Sequence, residues 1–129
     1  MVQLREIEAD LLSLGFQILA VSADRPEKLT VAARERELGY TLLSDSRMEA
    51  SRAFGLAYRV AEEVVEAYRG YGIDLQDASG EHHGLLPVPA VYVVTSEGGI
   101  LFQYANPDHR VRLEPGILMA AARAAVRGR

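Results

Sequence analysis

Short apolar runs of strand length alternate with amphipathic stretches of helical spacing along most of this chain, and that alternation restricts its fold more than any other feature. Leu4, Ile7, Leu11 and Leu14 recur every three or four residues, with Arg5, Glu6, Glu8 and Asp10 on other faces, and Gly15 follows where a helix C-terminal cap belongs. The spacing predicts an amphipathic helix of about three turns. Residues 16–22 (FQILAVS) then read as a buried strand, too short and too near the glycine to continue the helix. Asp24 stands where it can cap a helix with Pro26 in its first turn, and Leu29, Ala32, Ala33 and Leu38 mark its apolar stripe up to Gly39. Strand, tight loop and capped helix make half of a βαβ unit.

The pattern continues. Residues 40–43 supply a second short strand, after which Ser46 and Glu49 have the spacing of a reciprocal capping box, with Ala50, Ala53 and Phe54 expected inward and Gly55 ending the helix. Val60, Val64, Val65, Tyr68 and Tyr71 fit a further helix with Glu62, Glu63 and Glu66 solvated. The glycine-dotted stretch 70–84 has no clear period and reads as a loop insertion. Residues 88–95 (VPAVYVVT) and 100–104 (ILFQY) flank Ser96, Glu97, Gly98 and Gly99, which predicts a β-hairpin whose first strand lies inside the sheet. Glu114 and Pro115 open a last helix in which Ile117, Leu118, Ala121, Ala122 and Ala125 can pack on that sheet. The order predicts an α/β sheet covered on both faces, parallel strands first and an antiparallel pair last.

Composition removes several function classes. A chain of 129 residues reads as one domain, residues 1–129. A formal charge of −4 leaves no basic field for phosphates, so nucleic acid is not an expected partner. No apolar run approaches the roughly 20 residues needed to span a bilayer, and Met1 opens no apolar-centred leader, so the expectation is a cytoplasmic protein with no membrane partner. The cysteine count is zero, which removes disulfides, thiolate metal sites and any cysteine nucleophile from this polypeptide.

Parallel strands followed by a hairpin and a terminal helix resemble the thioredoxin arrangement. The details are closer to the peroxiredoxin-like proteins of the alkyl hydroperoxide reductase and thiol-specific antioxidant family. The resemblance is carried by Gln3-Leu4-Arg5, by Val21-Ser22-Ala23-Asp24 before Pro26-Glu27, and by Leu43-Ser44-Asp45. Farther along it rests on Gly72-Ile73-Asp74-Leu75, Leu86-Pro87-Val88-Pro89-Ala90, and Asn106-Pro107-Asp108 with Arg110 and Arg112. Each is weak alone; their order and spacing make the likeness, which covers nearly the whole chain.

The resemblance implies a three-layer α/β/α thioredoxin-like sheet, truncated at its N-terminus. The family's middle strand and its Trp-Cys-Pro-x-Cys type turn would fall before residue 1, so the chain itself has no catalytic residue for thiol chemistry. The expected function is therefore that of a member or shortened remnant of a thiol-dependent antioxidant oxidoreductase, acting on peroxides or disulfides. Either the start was assigned too far downstream or shortened, or a gene encodes a cysteine-free form. The alternative, from another class, is a non-catalytic thioredoxin-like binding or dimerising module. A missing middle strand leaves backbone groups unpaired at about 1–3 kcal/mol for each buried one, so the strands at 16–22 and 90–95 are expected to pair directly or across a strand-exchanged homodimer. A thiol or disulfide protein is the other expected partner.

Four residues are expected to face a substrate or partner: Val88, Pro89, Arg110 and Arg112. The resemblance implies a cis peptide before Pro89, shaping a docking surface without doing chemistry. Arg110 and Arg112 alternate in an extended segment and can bind an anion or polarise a peroxide, against the plainer reading of solvated arginines paired with Asp108 or Glu114. Glu81, His82 and His83 lack an obvious third metal ligand, and the expectation is no metal and no cofactor. No Gly-x-Ser-x-Gly elbow surrounds Ser22 or Ser44, and no Gly-x-Gly-x-x-Gly turn follows the first strand, so neither a hydrolase triad nor dinucleotide binding is supported. Asp24 and Asp45 end strands where α/β sheets bind ligands, but helix capping explains both more simply.

Overall fold

The structure is a computed structural model that describes residues 2–36, 40–108 and 111–128. Its chain divides into two compact units, one built from residues 1–18 and 89–129 and the other from residues 19–88. None of the described helices is long and apolar enough to cross a membrane.

The first unit contains helix α1 (Val2–Ser13). Ile7 and Leu11 of α1 are buried, with Leu4 and Leu14 packed beside them. The helix stops because Gly15 takes φ +94°, a left-handed conformation that a Cβ disfavours. The Phe16 N–H then reaches the Leu11 carbonyl at 3.1 Å and the Gly15 N–H the Leu12 carbonyl at 3.0 Å, the paired bonds of a Schellman stop.

The second unit begins with strand β1 (Leu19–Ser22), then helix α2 (Pro26–Arg36) and strand β2 (Thr41–Ser44). β1 and β2 pair in parallel, Leu19 opposite Thr41 through Ser22 opposite Ser44, which completes the βαβ unit expected from the sequence. α2 is started by Arg25, whose carbonyl receives the Lys28 N–H at 3.0 Å and the Leu29 N–H at 3.3 Å, and not by Asp24. Asp24 is instead fixed through its backbone, with its N–H on Ser22 Oγ and its carbonyl receiving the Ser44 hydroxyl at 2.7 Å. Leu29 is buried and Ala32 and Ala33 are half-buried along α2; Leu38, the last residue of that predicted stripe, and Gly39 lie outside the described residues.

Helix α3 (Glu49–Ala53), strand β3 (Ala57–Arg59), helix α4 (Glu62–Gly70), helix α5 (Leu75–Ser79) and strand β4 (Leu85–Pro87) complete this unit. β3 and β4 pair antiparallel, with Arg59 opposite Leu85. The stretch 70–84, expected to be a loop insertion, therefore holds the short helix α5, and β4 begins directly after it. α5 is capped by Asp74, whose carboxylate accepts from the Gln76 and Asp77 N–H groups at 3.0 and 3.2 Å. It is tied to α2 by Asp77, which meets Lys28 Nζ at 2.9 Å and the Arg25 guanidinium at 3.3 Å; Lys28, by hydrogen bond and charge, and the Arg25 charge hold the Asp77 carboxyl below its ordinary value.

Back in the first unit, strands β5 (Ala90–Val94) and β6 (Ile100–Ala105) form the expected hairpin, with an irregularity at Val93 and Val94. Helix α6 (Pro115–Arg127) closes the unit. Its buried residues are Leu118, Met119 and Ala122, which join Val93, Ile7 and Leu11 in one core. Ile117, expected inward, is exposed, because Leu118, Met119 and Ala122 define the buried stripe and leave Ile117 on its outer side.

The described strands form three two-stranded ladders. β1 pairs with β2 inside the second unit and β5 with β6 inside the first. Within β5, Val93 is buried and Ala90 to Tyr92 are half-buried.

Candidate functional site

Two groups of residues invite a functional reading: the four positions singled out in the sequence, and a polar cluster after β2 that the sequence showed only in part.

Val88 belongs to the second unit and is half-buried, with its N–H donating to the Leu56 carbonyl at 2.8 Å. Pro89 opens the following segment of the first unit, also half-buried, and its carbonyl accepts from the Asn106 N–H at 3.2 Å. The peptide between them is trans, since no described peptide bond is cis. This corrects the cis expectation: an X–Pro bond prefers trans by about 0.5–1 kcal/mol unless its surroundings hold the other isomer. Arg112 is exposed and makes no described ion pair with Glu114, while Arg110 lies outside the described residues. The structure thus describes Val88 in the second unit and Pro89 and Arg112 in the first, each by its own surroundings.

The second cluster centres on Asp45, directly after β2. Its backbone N–H donates to the Ser22 carbonyl, continuing the β1–β2 ladder by one bond at 2.6 Å. Its buried carboxylate accepts from the Ala50 N–H at 3.0 Å, the Ser51 N–H at 2.9 Å and the Ser51 hydroxyl at 2.7 Å. Burial pushes the Asp45 carboxyl up, but the Ser51 hydroxyl and the N–H groups of Ala50, Ser51 and Glu49 outweigh it, leaving the group below its ordinary value. The expected Ser46–Glu49 capping box is therefore not what starts α3. Asp45 caps it from farther back, because residues 45–48 fold into a turn closed by the Met48 N–H on the Asp45 carbonyl at 2.8 Å.

That turn ends in Met48, with φ 63° and no exposed surface. Met48 and Ser51 are the buried residues around α3, whereas Ala50, Ala53 and Phe54 are exposed, contrary to the sequence pattern. The left-handed residue at the helix entry resets which side chains face inward. Above the turn, His83 Nε2 meets the Ser46 carbonyl at 2.7 Å and His83 Nδ1 accepts from the Leu85 N–H at 3.0 Å. In this cluster the Asp45 carboxylate and both His83 ring nitrogens are occupied by the protein's own backbone and by the Ser51 hydroxyl. Its geometry is that of a structural clasp, and among the described residues no group of acidic and histidine side chains is placed to hold a metal ion.

The decisive comparison is with protein families: residues 1–103 match the AhpC/TSA family. The chain belongs to that family. A relative in Haemophilus influenzae, "Putative peroxiredoxin bcp", is 38% identical over 53 residues, covering 41% of this chain and 34% of that protein. The matched stretch thus spans about a third of the relative's length. The mixed α/β order, with its small sheets, fits this family's thioredoxin-like fold, as the resemblance implied. Membership sharpens the meaning of the composition: this is a chain of a thiol-dependent antioxidant family that carries no cysteine.

Proposed function

We propose that this chain supplies the scaffold of a thiol-dependent peroxide reductase whose reactive cysteine lies outside these 129 residues. The absence of cysteine from an AhpC/TSA family chain carries the proposal. In the reaction a cysteine thiolate attacks the distal oxygen of a hydroperoxide. The O–O bond breaks, the sulfur is oxidised by two electrons to a sulfenic acid, and the alcohol leaves after taking up a proton. A dithiol then attacks the sulfenic sulfur, releasing water and forming a mixed disulfide that its second thiol resolves, returning the cysteine. No side chain of this polypeptide substitutes for that thiolate. The reducing cytoplasm is the compartment that supplies such dithiols. Val88, Pro89, Arg110 and Arg112 are proposed to face the substrate or the protein thiol, with residues 1–129 acting as one domain.

A coupled peroxide-consumption assay with a dithiol reductant tests this. The chain is expected to show no turnover above the uncatalysed background, and a form extended upstream through a cysteine-bearing segment to show robust turnover. Turnover by the cysteine-free chain alone would overturn the proposal, and inactivity of both forms would favour the binding-module reading.

One observation supports the dimerising form of that second reading. Leu19 and Val21, alternate residues of β1, are 54% and 55% exposed, and the strand has a ladder partner on one edge only among the described residues. Exposed apolar edges recruit further strands. Sedimentation equilibrium is expected to show a concentration-dependent homodimer that Val21→Lys weakens at least tenfold. A monomer at all concentrations would exclude strand exchange between copies.

A further inference from the structure

The Leu85 N–H is a donor, so His83 Nδ1 must accept it and carry no proton; the Ser46 carbonyl is an acceptor, so Nε2 must carry the proton. Only the neutral Nε2–H tautomer satisfies both contacts. We propose that His83 is an acid-released latch, which in its neutral form clips the start of β4 to the turn after β2 and on protonation lets that segment go. A proton on Nδ1 would point at the Leu85 N–H and turn an acceptor into a second donor. The clasp thus depends on the protonation state of a single ring, whereas the Asp45 carboxylate is held by donors alone.

What the latch holds is well defined. Leu85 opens β4 opposite Arg59, and the preceding carbonyl, that of Gly84, accepts the Val60 N–H at 2.8 Å. Val60 is buried, and just past the end of β4 the Val88 N–H donates to the Leu56 carbonyl. Releasing His83 therefore frees the end of the β3–β4 ladder first, at a site 37 residues in sequence from the Ser46 carbonyl that anchors it.

The charged groups on the surrounding elements are Asp45 and Arg47 in the turn after β2, Arg59 in β3, Glu62 and Glu63 at the start of α4, and Glu81 and His82 in the loop itself. The Asp45 carboxylate is occupied by Ala50 and Ser51. Arg47 and Glu81 stand 4.0 Å apart and form a parallel, more exposed bridge between the same two segments. Arg59, Glu62, Glu63 and His82 are exposed.

The test is nuclear magnetic resonance on the intact chain between pH 8 and pH 5, following the ring nitrogens of His82 and His83 and amide exchange at Leu85 and Val60. The expected result is the Nε2–H tautomer of His83 at high pH, and a fall of at least tenfold in the Leu85 and Val60 protection factors as that ring gains its proton. His82→Ala keeps this step. His83→Asn, whose carbonyl can still accept from the N–H two residues on, abolishes it while preserving the fold. An Nδ1–H tautomer, protection unchanged through the His83 titration, or a step that survives in His83→Asn would each overturn the latch.

Discussion

Asp45→Ala is expected to lower the unfolding free energy by about 3 kcal/mol, because it strips a buried carboxylate from three donors and leaves the N–H groups of Ala50 and Ser51 without a protein acceptor. For a chain of this size that corresponds to a fall in Tm of about 10 °C. Asp45→Asn keeps the shape and one acceptor oxygen but loses the charge, and should cost about half as much. The pH dependence provides an independent check. The folded-state carboxyl lies below its ordinary value, so the stability it contributes is present above the unfolded value and is lost as pH falls through the lower folded one. Denaturation curves of the native and Asp45→Ala proteins should therefore differ most near neutrality and converge in strong acid. A difference that stays constant down to pH 2 would show that the carboxylate's charge is not what holds α3.

Met48 yields the second large effect, and its sign is unusual. Replacing this fully buried side chain by alanine opens a cavity in the second unit and should cost about 3 kcal/mol. Glycine removes still more volume, and in most positions would be worse than alanine. Here the backbone sits at φ 63°, where a Cβ is strained, so Met48→Gly should be about 1 kcal/mol more stable than Met48→Ala. Urea denaturation of the pair measures this directly. Alanine proving the milder replacement would mean that the left-handed entry to α3 relaxes when the side chain is cut back.

Both effects arise at one turn of four residues, and that turn shows why parts of the sequence pattern misled. Ser46 and Glu49 have capping-box spacing, yet the chain uses Asp45 as the cap and Met48 as the left-handed entry. A spacing rule assumes that the helix begins where its pattern begins. Here a tight turn intervenes, rotating α3 so that Met48 and Ser51 point inward and Ala50, Ala53 and Phe54 do not. β3, α5 and β4 were missed for a related reason, since elements of three to five residues hold too few positions to display a period. The Asp74 cap and the left-handed Gly80 were the available signals for α5. The cis expectation at Pro89 came from resemblance and not from any local feature of the chain.

The sequence by itself determined the longer elements, because amphipathic spacing and glycine stops act over neighbouring residues: the stripe of Ile7 and Leu11 in α1, the hairpin around Ser96 to Gly99, and the order of helices and strands all follow from local pattern. It also determined that thiol chemistry cannot originate in this chain, since no cysteine is present to perform it. Tertiary structure alone decided how the strands were shared out. Two parallel and four antiparallel strands settled into three two-stranded ladders, because strand pairing depends on which backbone edges meet across long sequence distances, and no periodicity encodes that. It alone also placed His83 between the Ser46 carbonyl and the Leu85 N–H, a contact made by a loop side chain with backbone far away in the chain, for which sequence carries no spacing rule.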